Sequence, residues 1–447
     1  MDTIVALATP PGVSGIAVIR ISGDEAISIA DHHFKGKIKL TEAKTHTIHY
    51  GKIVKNETVI DLVTASVFRK PNSYTGEDIV EIACHGGFVI YEEIINVLLS
   101  SGCRLAKPGE FTQRAFINGK LDLLQAESVA DLIHSNSIVS EQVSTRQLIG
   151  NFTQRIQSFK AKLIKIAGLL ELELDFSDED IDLISKKDII DMIDELLNFN
   201  NEIIDSFNSA QILHNGFAVA LVGYPNSGKS TLFNKLLNKN RAIVSPVPGT
   251  TRDYLEEYHY YDGIPVKLFD TAGIRDTDDI VEIEGINLVE SVIKQSNLIF
   301  VINDASNNVN YSDKLFDEIK QKYTDKTYYL LQNKIDLSPT KPRRNEEIVI
   351  SAKNEINLNA VKDVIKIIAK QSISRINDIL VNERQHNLLK QINIDLTNAR
   401  QSIINNFQNE FIAIDVRNAI KKLGELTGEI YNEDILNQIF SSFCIGK

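Results

Sequence analysis

The chain has 447 residues, 43% of them hydrophobic and 24% charged, with a formal net charge of −12. That length suits about three domains, the composition is that of an ordinary folded chain, and no apolar run approaches the roughly 20 residues needed to span a bilayer. The acidic balance does not advertise a nucleic-acid surface, which would need a local basic patch.

The opening MDTIVALATPPG lacks the basic and apolar regions of a secretory leader, so a cytoplasmic protein is expected. The first 118 residues alternate short apolar runs with turn residues, as mixed α/β segments do. TIVALAT, GIAVIRIS and DLVTASVF read as strands, and GFVIYEEIINVLLSSG as a helix closed by Gly102. Three cysteines, Cys84, Cys103 and Cys444, make no disulfide framework and suit a reducing compartment. Cys84 and Cys103 lie in apolar stretches and read as small buried hydrophobes.

From about Leu121 to Ala210 the pattern becomes helical. Phe152, Ile156, Phe159, Leu163, Ile166 and Leu170 recur at spacings of three and four, which makes one packing stripe on a long helix. The acidic DFSDEDID (175–182) lacks the glycine and closing glutamate of a calcium loop and reads as a solvated helix start. Beyond Gly216, FAVALVGYP, VKLFDTAG, NLIFVIND, TYYLLQNKID and EEIVISAK are apolar runs that each end in a polar loop. Parallel strands buried on both faces have that signature. After Ser372 the chain reads as helical to its end. The expected organisation is residues 1–118, a helical part 119–210, an inserted α/β domain 211–372 and a second helical part 373–447, with the helical parts folding together. The basic KPRR (341–344) reads as an ordinary solvated loop.

GYPNSGKS (223–230) fits G-x-x-x-x-G-K-[ST] and sits between a strand and a helix, the context that motif requires. Its glycines let the backbone close on phosphate oxygens at a helix N-terminus. Lys229 is expected to reach the β and γ phosphates and the Ser230 hydroxyl to bind Mg²⁺. Thr251 in PGTTRD would sense the γ-phosphate through Mg²⁺. DTAG (270–273) offers Asp270 near the metal and a free amide at Gly273. In NKID (333–336) the Asp336 carboxylate can accept from N1 and N2 of guanine, and SAK (351–353) would complete the base pocket. Their order along the chain resembles that of the translation-factor-like GTPases. The nucleotide is then expected to touch Asn226, Ser227, Gly228, Lys229, Ser230 and Thr231, and, in the switch segment, Ser245, Pro246, Val247, Pro248, Gly249, Thr250 and Thr251. Further on it would meet Asp270, Thr271, Ala272, Gly273, Asn333, Lys334, Asp336, Ser351 and Ala352. Where Ras-like GTPases carry a water-orienting glutamine, this chain has Ile274, which cannot orient water. Two sources of help stay open: a monovalent cation held by Asn226 and SPVPGT (245–250), or an acid from DDIVEIEG (278–285).

Over its whole length the sequence resembles the MnmE (TrmE) family of bacterial tRNA-modifying GTPases. DTIVALATPPG, VIRISG, SYTGEDIVEIACHGG, KPGEFTQRAFINGKLDLLQAE, DFSDEDID, the GTPase motifs and GEIYNEDILNQIFSSFCIGK carry the likeness. It implies a multidomain α/β plus all-α fold: an N-terminal α/β tetrahydrofolate-binding domain that dimerises, a helical domain from the middle and C-terminal segments, and an inserted Ras-like P-loop GTPase domain. It implies a potassium-activated GTPase working with an FAD-dependent MnmG (GidA) partner in a heterotetramer. Together they would add a carboxymethylaminomethyl or aminomethyl group to carbon 5 of the tRNA wobble uridine. The methylene would come from 5-formyl- or 5,10-methylene-tetrahydrofolate. By motif match Arg20, Glu81, Lys120 and Lys447 would contact the folate, and Asn226, Ser245, Val247 and Thr250 would bind K⁺. Ser245 stands where relatives often have threonine, which keeps the oxygen. Glu282 would orient the hydrolytic water. The FCIGK tail would reach the folate pocket of the partner subunit, with Cys444 a candidate for the chemistry. A different reading, an Era-like assembly switch without one-carbon chemistry, explains the GTPase motifs equally well but leaves the first 120 and last 20 residues unexplained.

Overall fold

The computed structural model describes residues 2–135, 137–175, 185–237, 255–270, 289–307, 311–373 and 379–447. The chain divides into two compact units, one of residues 1–130, 146–196 and 391–447, the other of residues 131–145 and 197–390.

In the first unit, strands β1 (Ile4–Leu7), β2 (Ser14–Ser22), β3 (Phe34–Gly36), β4 (Thr47–Lys55), β5 (Thr58–Phe68), β6 (Ile79–Gly86) and β7 (Arg104–Leu105) form one sheet in the order β3-β4-β5-β6-β2-β1-β7. All pairs are antiparallel except β1 with β7. The side chains alternate as a strand requires. Val63, Ala65 and Val67 of β5 and Ile19 and Ile21 of β2 are buried with Ile27 and Ala30 of helix α1 (Ala26–His33) and Tyr91, Ile94 and Leu98 of α2 (Phe88–Ser100). Cys84 and Cys103 belong to this core, and burial pushes both thiols up to about 11. Three of the seven strands match the runs singled out in the sequence. The Lys- and Gly-bearing β3 and β4 and the strand following the SYTGED turn do not announce themselves as apolar runs.

Helix α3 (Glu110–Ile117) covers part of the other sheet face, packing Phe111 with Ile4, Ala6 and Ala106. A buried ionic cluster anchors it. Arg114 donates to both Glu77 carboxylate oxygens at 3.0 and 3.2 Å, to Glu110 at 3.1 Å and to Asp2 at 2.7 Å. Ser22 closes the cluster with a 2.7 Å bond to Glu77.

The predicted stripe is fully realised on helix α6 (Asn151–Asp175), where Phe152, Ile156, Phe159, Leu163, Ile166 and Leu170 are all buried. Each such side chain contributes roughly 1.5–3 kcal/mol of hydrophobic stabilisation. Helix Asn409–Thr427 packs along α6, with Arg417 bridging to Glu171 and Asn409 bonding Glu173. The middle and C-terminal helical segments thus share one core. Most of the acidic DFSDEDID stretch, residues 176–182, lies outside the described residues.

The second unit holds a six-stranded sheet of β8 (Phe217–Val222), β9 (Leu255–Tyr261), β10 (Ile264–Asp270), β11 (Leu298–Asp304), β12 (Thr327–Asn333) and β13 (Glu347–Val349), ordered β13-β12-β11-β8-β10-β9. Only the β9–β10 pair is antiparallel. Both faces are covered, which explains the unbroken apolar runs. Phe217, Val219 and Leu221 face Leu232, Phe233 and Leu236 of α8 (Lys229–Leu236) and Val361 and Ile365 of helix Leu358–Ile373. Ala218, Ala220 and Val222 face Val292, Ile293 and helix Tyr311–Lys322 through Phe316 and Ile319. This is a doubly wound, mainly parallel sheet, whose strand ends are the usual place for a ligand.

Candidate functional site

Strand β8 delivers the phosphate loop to the end of the sheet. A Cβ on Gly223 would stand 2.5 Å from the Ile302 carbonyl oxygen, so only glycine fits there. Asn226 adopts φ +62° and Gly228 φ +95°, and α8 begins at Lys229 with its first amides turned toward the loop. Lys229 is buried, and its Nζ donates to the Gly223 and Tyr224 carbonyls at 2.8 and 2.9 Å. Those bonds close a ring across the loop around the place a phosphate would take. The Ser227 hydroxyl is buried with no hydrogen-bond partner among the described residues, while Ser230 and Thr231 are exposed on the first turn of α8. Glycines that exclude a Cβ, a positive helix end and a buried ammonium bonded to two loop carbonyls fit a nucleotide phosphate. Asp270 ends β10 beside β8, in register with Leu221, and is fully buried.

The base-recognition loops are tied to the phosphate loop by Asn333 at the end of β12. Its Nδ2 donates to the Ser227 carbonyl at 2.8 Å, and its Oδ1 accepts from the Ala352 amide at 2.9 Å. Ser351 donates to Asp336 Oδ1 at 2.6 Å, which orients that carboxylate and leaves its other oxygen for a ligand. Lys334 takes φ +65°, and its Nζ bonds Asp304 Oδ2 at 2.6 Å. Asn226, Ser227, Gly228, Lys229, Ser230, Thr231, Asp270, Asn333, Lys334, Asp336, Ser351 and Ala352 therefore surround one set of strand ends. Ser245, Pro246, Val247, Pro248, Gly249, Thr250, Thr251, Thr271, Ala272, Gly273 and Glu282 lie outside the described residues. Asp304 was missed in the sequence because it lies in no recognised motif. The one signal was a strand ending in two polar residues, Asn303 and Asp304.

KPRR is not a free basic loop. Arg343 pairs with Asp313 at 3.1 Å and with the buried Glu347 at 3.3 Å, and Arg344 pairs with Asp317 at 2.8 Å.

In the first unit, Arg20 and Glu81 are direct cross-strand partners on β2 and β6, and Arg20 Nε donates to Glu81 Oε1 at 2.8 Å. They stand on the sheet face away from α1 and α2. The Arg20 guanidinium lies 5.5 Å from the Tyr74 ring centre and 5.6 Å from that of Phe111. Lys120 is exposed, and its stem passes within 3.5 Å of where a Gly76 Cβ would stand, beside the loop that carries Tyr74. Tyr74 is fixed by a 2.9 Å bond to Thr112, and Phe111 by the core under α3. Neither aromatic residue was singled out from the sequence, because only the fold places them against Arg20.

The C-terminal tail reaches the same place. Leu436, Phe440 and Phe443 pack with Phe116, Leu123, Ala126 and Val129. The Gly109 amide bonds the Cys444 carbonyl at 3.4 Å, and Arg20 Nη1 bonds the Gly446 carbonyl at 3.3 Å. A Cβ on Gly446 would lie 2.3 Å from the Leu7 carbonyl oxygen. Cys444 is an exposed free thiol. This corrects the expectation that the tail would enter a partner subunit's pocket: it docks on the N-terminal sheet of its own chain. The reason is the apolar face of helix Glu433–Ser441, which finds its hydrophobic partner at α3 and α4 (Leu123–Ile133). Lys447 follows Gly446 directly, so three of the four folate candidates, Arg20, Glu81 and Lys447, gather at one spot, with Lys120 at the adjoining loop.

Among the described residues no helix is long and apolar enough to cross a membrane, and no cluster of three His, Cys, Asp or Glu is placed to hold a metal ion.

Residues 3–120 match the family model described as GTP-binding protein TrmE N-terminus, and residues 123–444 match that of the MnmE helical domain. The tRNA modification GTPase MnmE of Flavobacterium johnsoniae is 42% identical over 463 residues, covering 100% of this chain and 99% of that protein. Those of Christiangramia forsetii and Thermoanaerobacter pseudethanolicus are 40% and 39% identical, with the same coverage. With the phosphate loop, the guanine-type loops and both family segments in one chain, the protein belongs to the MnmE family.

Proposed function

We propose that this protein is a GTP hydrolase acting in tRNA modification, and that it joins a potassium-dependent guanine-nucleotide site to a one-carbon folate site. The observation that carries the reading is the Arg20–Glu81 pair with the chain's own tail seated on it, in a protein that also builds a guanine-nucleotide frame. An Era-like assembly switch has no use for the first of these.

At the nucleotide site the amides from Asn226 to Ser230 would hold the phosphates, with Lys229 exchanging its loop carbonyls for phosphate oxygens. Ser230 and Thr231 stand open on the first turn of α8. Ser230, with Asp270 nearby and Thr251, would serve Mg²⁺. Asn226, Ser245, the Val247 carbonyl and Thr250 would hold K⁺. Held there, the two cations would supply positive charge against the phosphates. Glu282 would accept a hydrogen bond from the hydrolytic water, since Ile274 cannot. Asp336, oriented by Ser351, would accept from guanine N1 and N2.

At the second site the residues present suit a folate. Glu81 can accept from a pterin amide face, Lys120 and Lys447 can meet the glutamate tail, and Tyr74 offers an aromatic wall beside Arg20. When bound, that group would supply a one-carbon unit at the oxidation level of formyl or methylene. Cys444, exposed and two residues before the Arg20-bound Gly446, would act on that unit or position the uridine. The remaining parts of the reading are a cytoplasmic location, a second copy of the chain on the open sheet face where Ile48, Tyr50 and Leu62 stand exposed, and an FAD-dependent MnmG-like partner.

Nucleoside mass spectrometry of tRNA from cells lacking this protein tests the reading. Loss of the carboxymethylaminomethyl or aminomethyl group at the wobble uridine is expected. Fully modified tRNA would favour the assembly switch.

A further inference from the structure

The two charged side chains of the guanine loop are drawn in opposite directions. Asp336 is bonded to Ser351, which follows the edge strand β13. Lys334 reaches the other way, to Asp304 at the end of β11, which lies between β12 and β8. The left-handed backbone at Lys334, φ +65°, turns its side chain out of the strand direction to make this reach. Asp304 is itself held: the Ser306 amide and hydroxyl both donate to its Oδ1, at 2.9 and 2.5 Å, which leaves Oδ2 to Lys334. The side chains of Asp304 and Lys334 are 13% and 30% exposed, so the pair is more strongly coupled than a surface bridge. Burial works against the Asp304 carboxylate, yet the bonds from Lys334 and Ser306 hold its pKa below the usual range.

A free ammonium on a four-carbon stem is strongly hydrated and would bring water into a base pocket. With its head tied to Asp304, the same side chain presents methylene groups instead, as lysines do when the head is satisfied and the stem covers apolar surface. The stem runs from the motif that reads the base toward the strand that delivers the phosphate loop.

We propose that Asp304 is the positioning residue for guanine recognition: it anchors the Lys334 ammonium so that the lysine stem lies flat against one face of the bound base. The inference rests on the guanine-nucleotide reading above and adds a residue outside the GTPase motifs to it.

A double-mutant cycle read by fluorescence titration with a methylanthraniloyl-labelled GDP decides it. Asp304→Ala should lose about tenfold in affinity, equivalent to about 1.4 kcal/mol. Lys334→Met keeps the straight stem without its charge and should lose less than about threefold. In the Lys334→Met background, removing Asp304 should cost nothing further. Asp304→Asn, which keeps a Ser306 acceptor but removes the charge, serves if the alanine variant fails to fold. An equal loss in both backgrounds, as expected if Asp304 only shapes the Ser306 turn, would overturn the proposal. So would a single Asp304 variant that binds like the wild type. Failure of the wild-type protein to bind the probe at all would instead overturn the guanine reading on which the inference stands.

Discussion

Asn333 and Gly228 make a matched pair: the amide Nδ2 of Asn333 occupies the space 2.2 Å from where a Cβ on Gly228 would be. The glycine therefore does two things, taking φ +95° at the head of α8 and leaving room for the bond from Asn333 to Ser227. The loop expected to cradle phosphate and the loop expected to read the base are joined through that contact. Asn333→Ala would leave the Ser227 carbonyl and the Ala352 amide without their partner in a buried setting, at roughly 1–3 kcal/mol each. Affinity for GDP should fall at least tenfold, and Gly228→Ala should do at least as much, as measured by fluorescence titration. Unchanged affinity in either variant would contradict the coupling.

Asp336→Asn should shift the preference from guanine toward xanthine nucleotides, because the amide offers a donor where the carboxylate accepts. Ser351→Ala should weaken guanine binding more mildly, since it frees the Asp336 carboxylate without removing it. Competition between GDP and xanthosine diphosphate reads both. Retained guanine selectivity in Asp336→Asn would show that the base edge is met elsewhere.

Replacing K⁺ by Na⁺ should slow GTP turnover strongly, because the proposed oxygens of Asn226, Ser245, Val247 and Thr250 would lose their fitting ion. Steady-state phosphate release at equal ionic strength is the measurement. Equal rates in the two salts would leave the role of Glu282 and leave no role for the cation.

The ionic cluster under α3 predicts acid sensitivity. Burial alone would raise the Glu110 pKa, but bonds from Arg104, the Lys107 amide and Arg114 hold it below its ordinary 4.5. A carboxylate depressed in the folded state contributes stability that is complete above its unfolded pKa and lost as pH falls through the folded value. Thermal unfolding should therefore come earlier as pH drops below 4.5. In Glu110→Gln the melting temperature at pH 7 should be lower, and its fall over the acid range shallower. An identical acid profile in the variant would show that Glu110 does not set the acid sensitivity.

The nucleotide frame was legible in the sequence because its determinants are local. A glycine that cannot bear a Cβ, a lysine at the head of a helix and an aspartate after a buried strand are each visible within eight residues. The second site was not legible in that way. Arg20 and Glu81 are 61 positions apart and meet only through the register of β2 and β6, and Tyr74 and Phe111 join them through a loop and a helix. Family resemblance named the pair, while the fold supplied the reason. Resemblance also pointed the tail at a partner subunit, whereas the apolar spacing of Leu436, Phe440 and Phe443 finds its match within the chain. The arginines of KPRR show the same limit, since two of their three acids, Asp313 and Asp317, sit on a helix about thirty residues upstream.

Cys444, an exposed thiol two residues before the Gly446 whose carbonyl Arg20 holds, is proposed to serve the modification and not the GTPase. The direct test is nucleoside mass spectrometry of tRNA from cells whose only copy carries Cys444→Ser, with GTP turnover of the same purified variant. Wobble uridine without its aminomethyl-type group is expected, with GTP hydrolysis near the wild-type rate. Fully modified tRNA in that strain would contradict it and return Cys444 to a packing role.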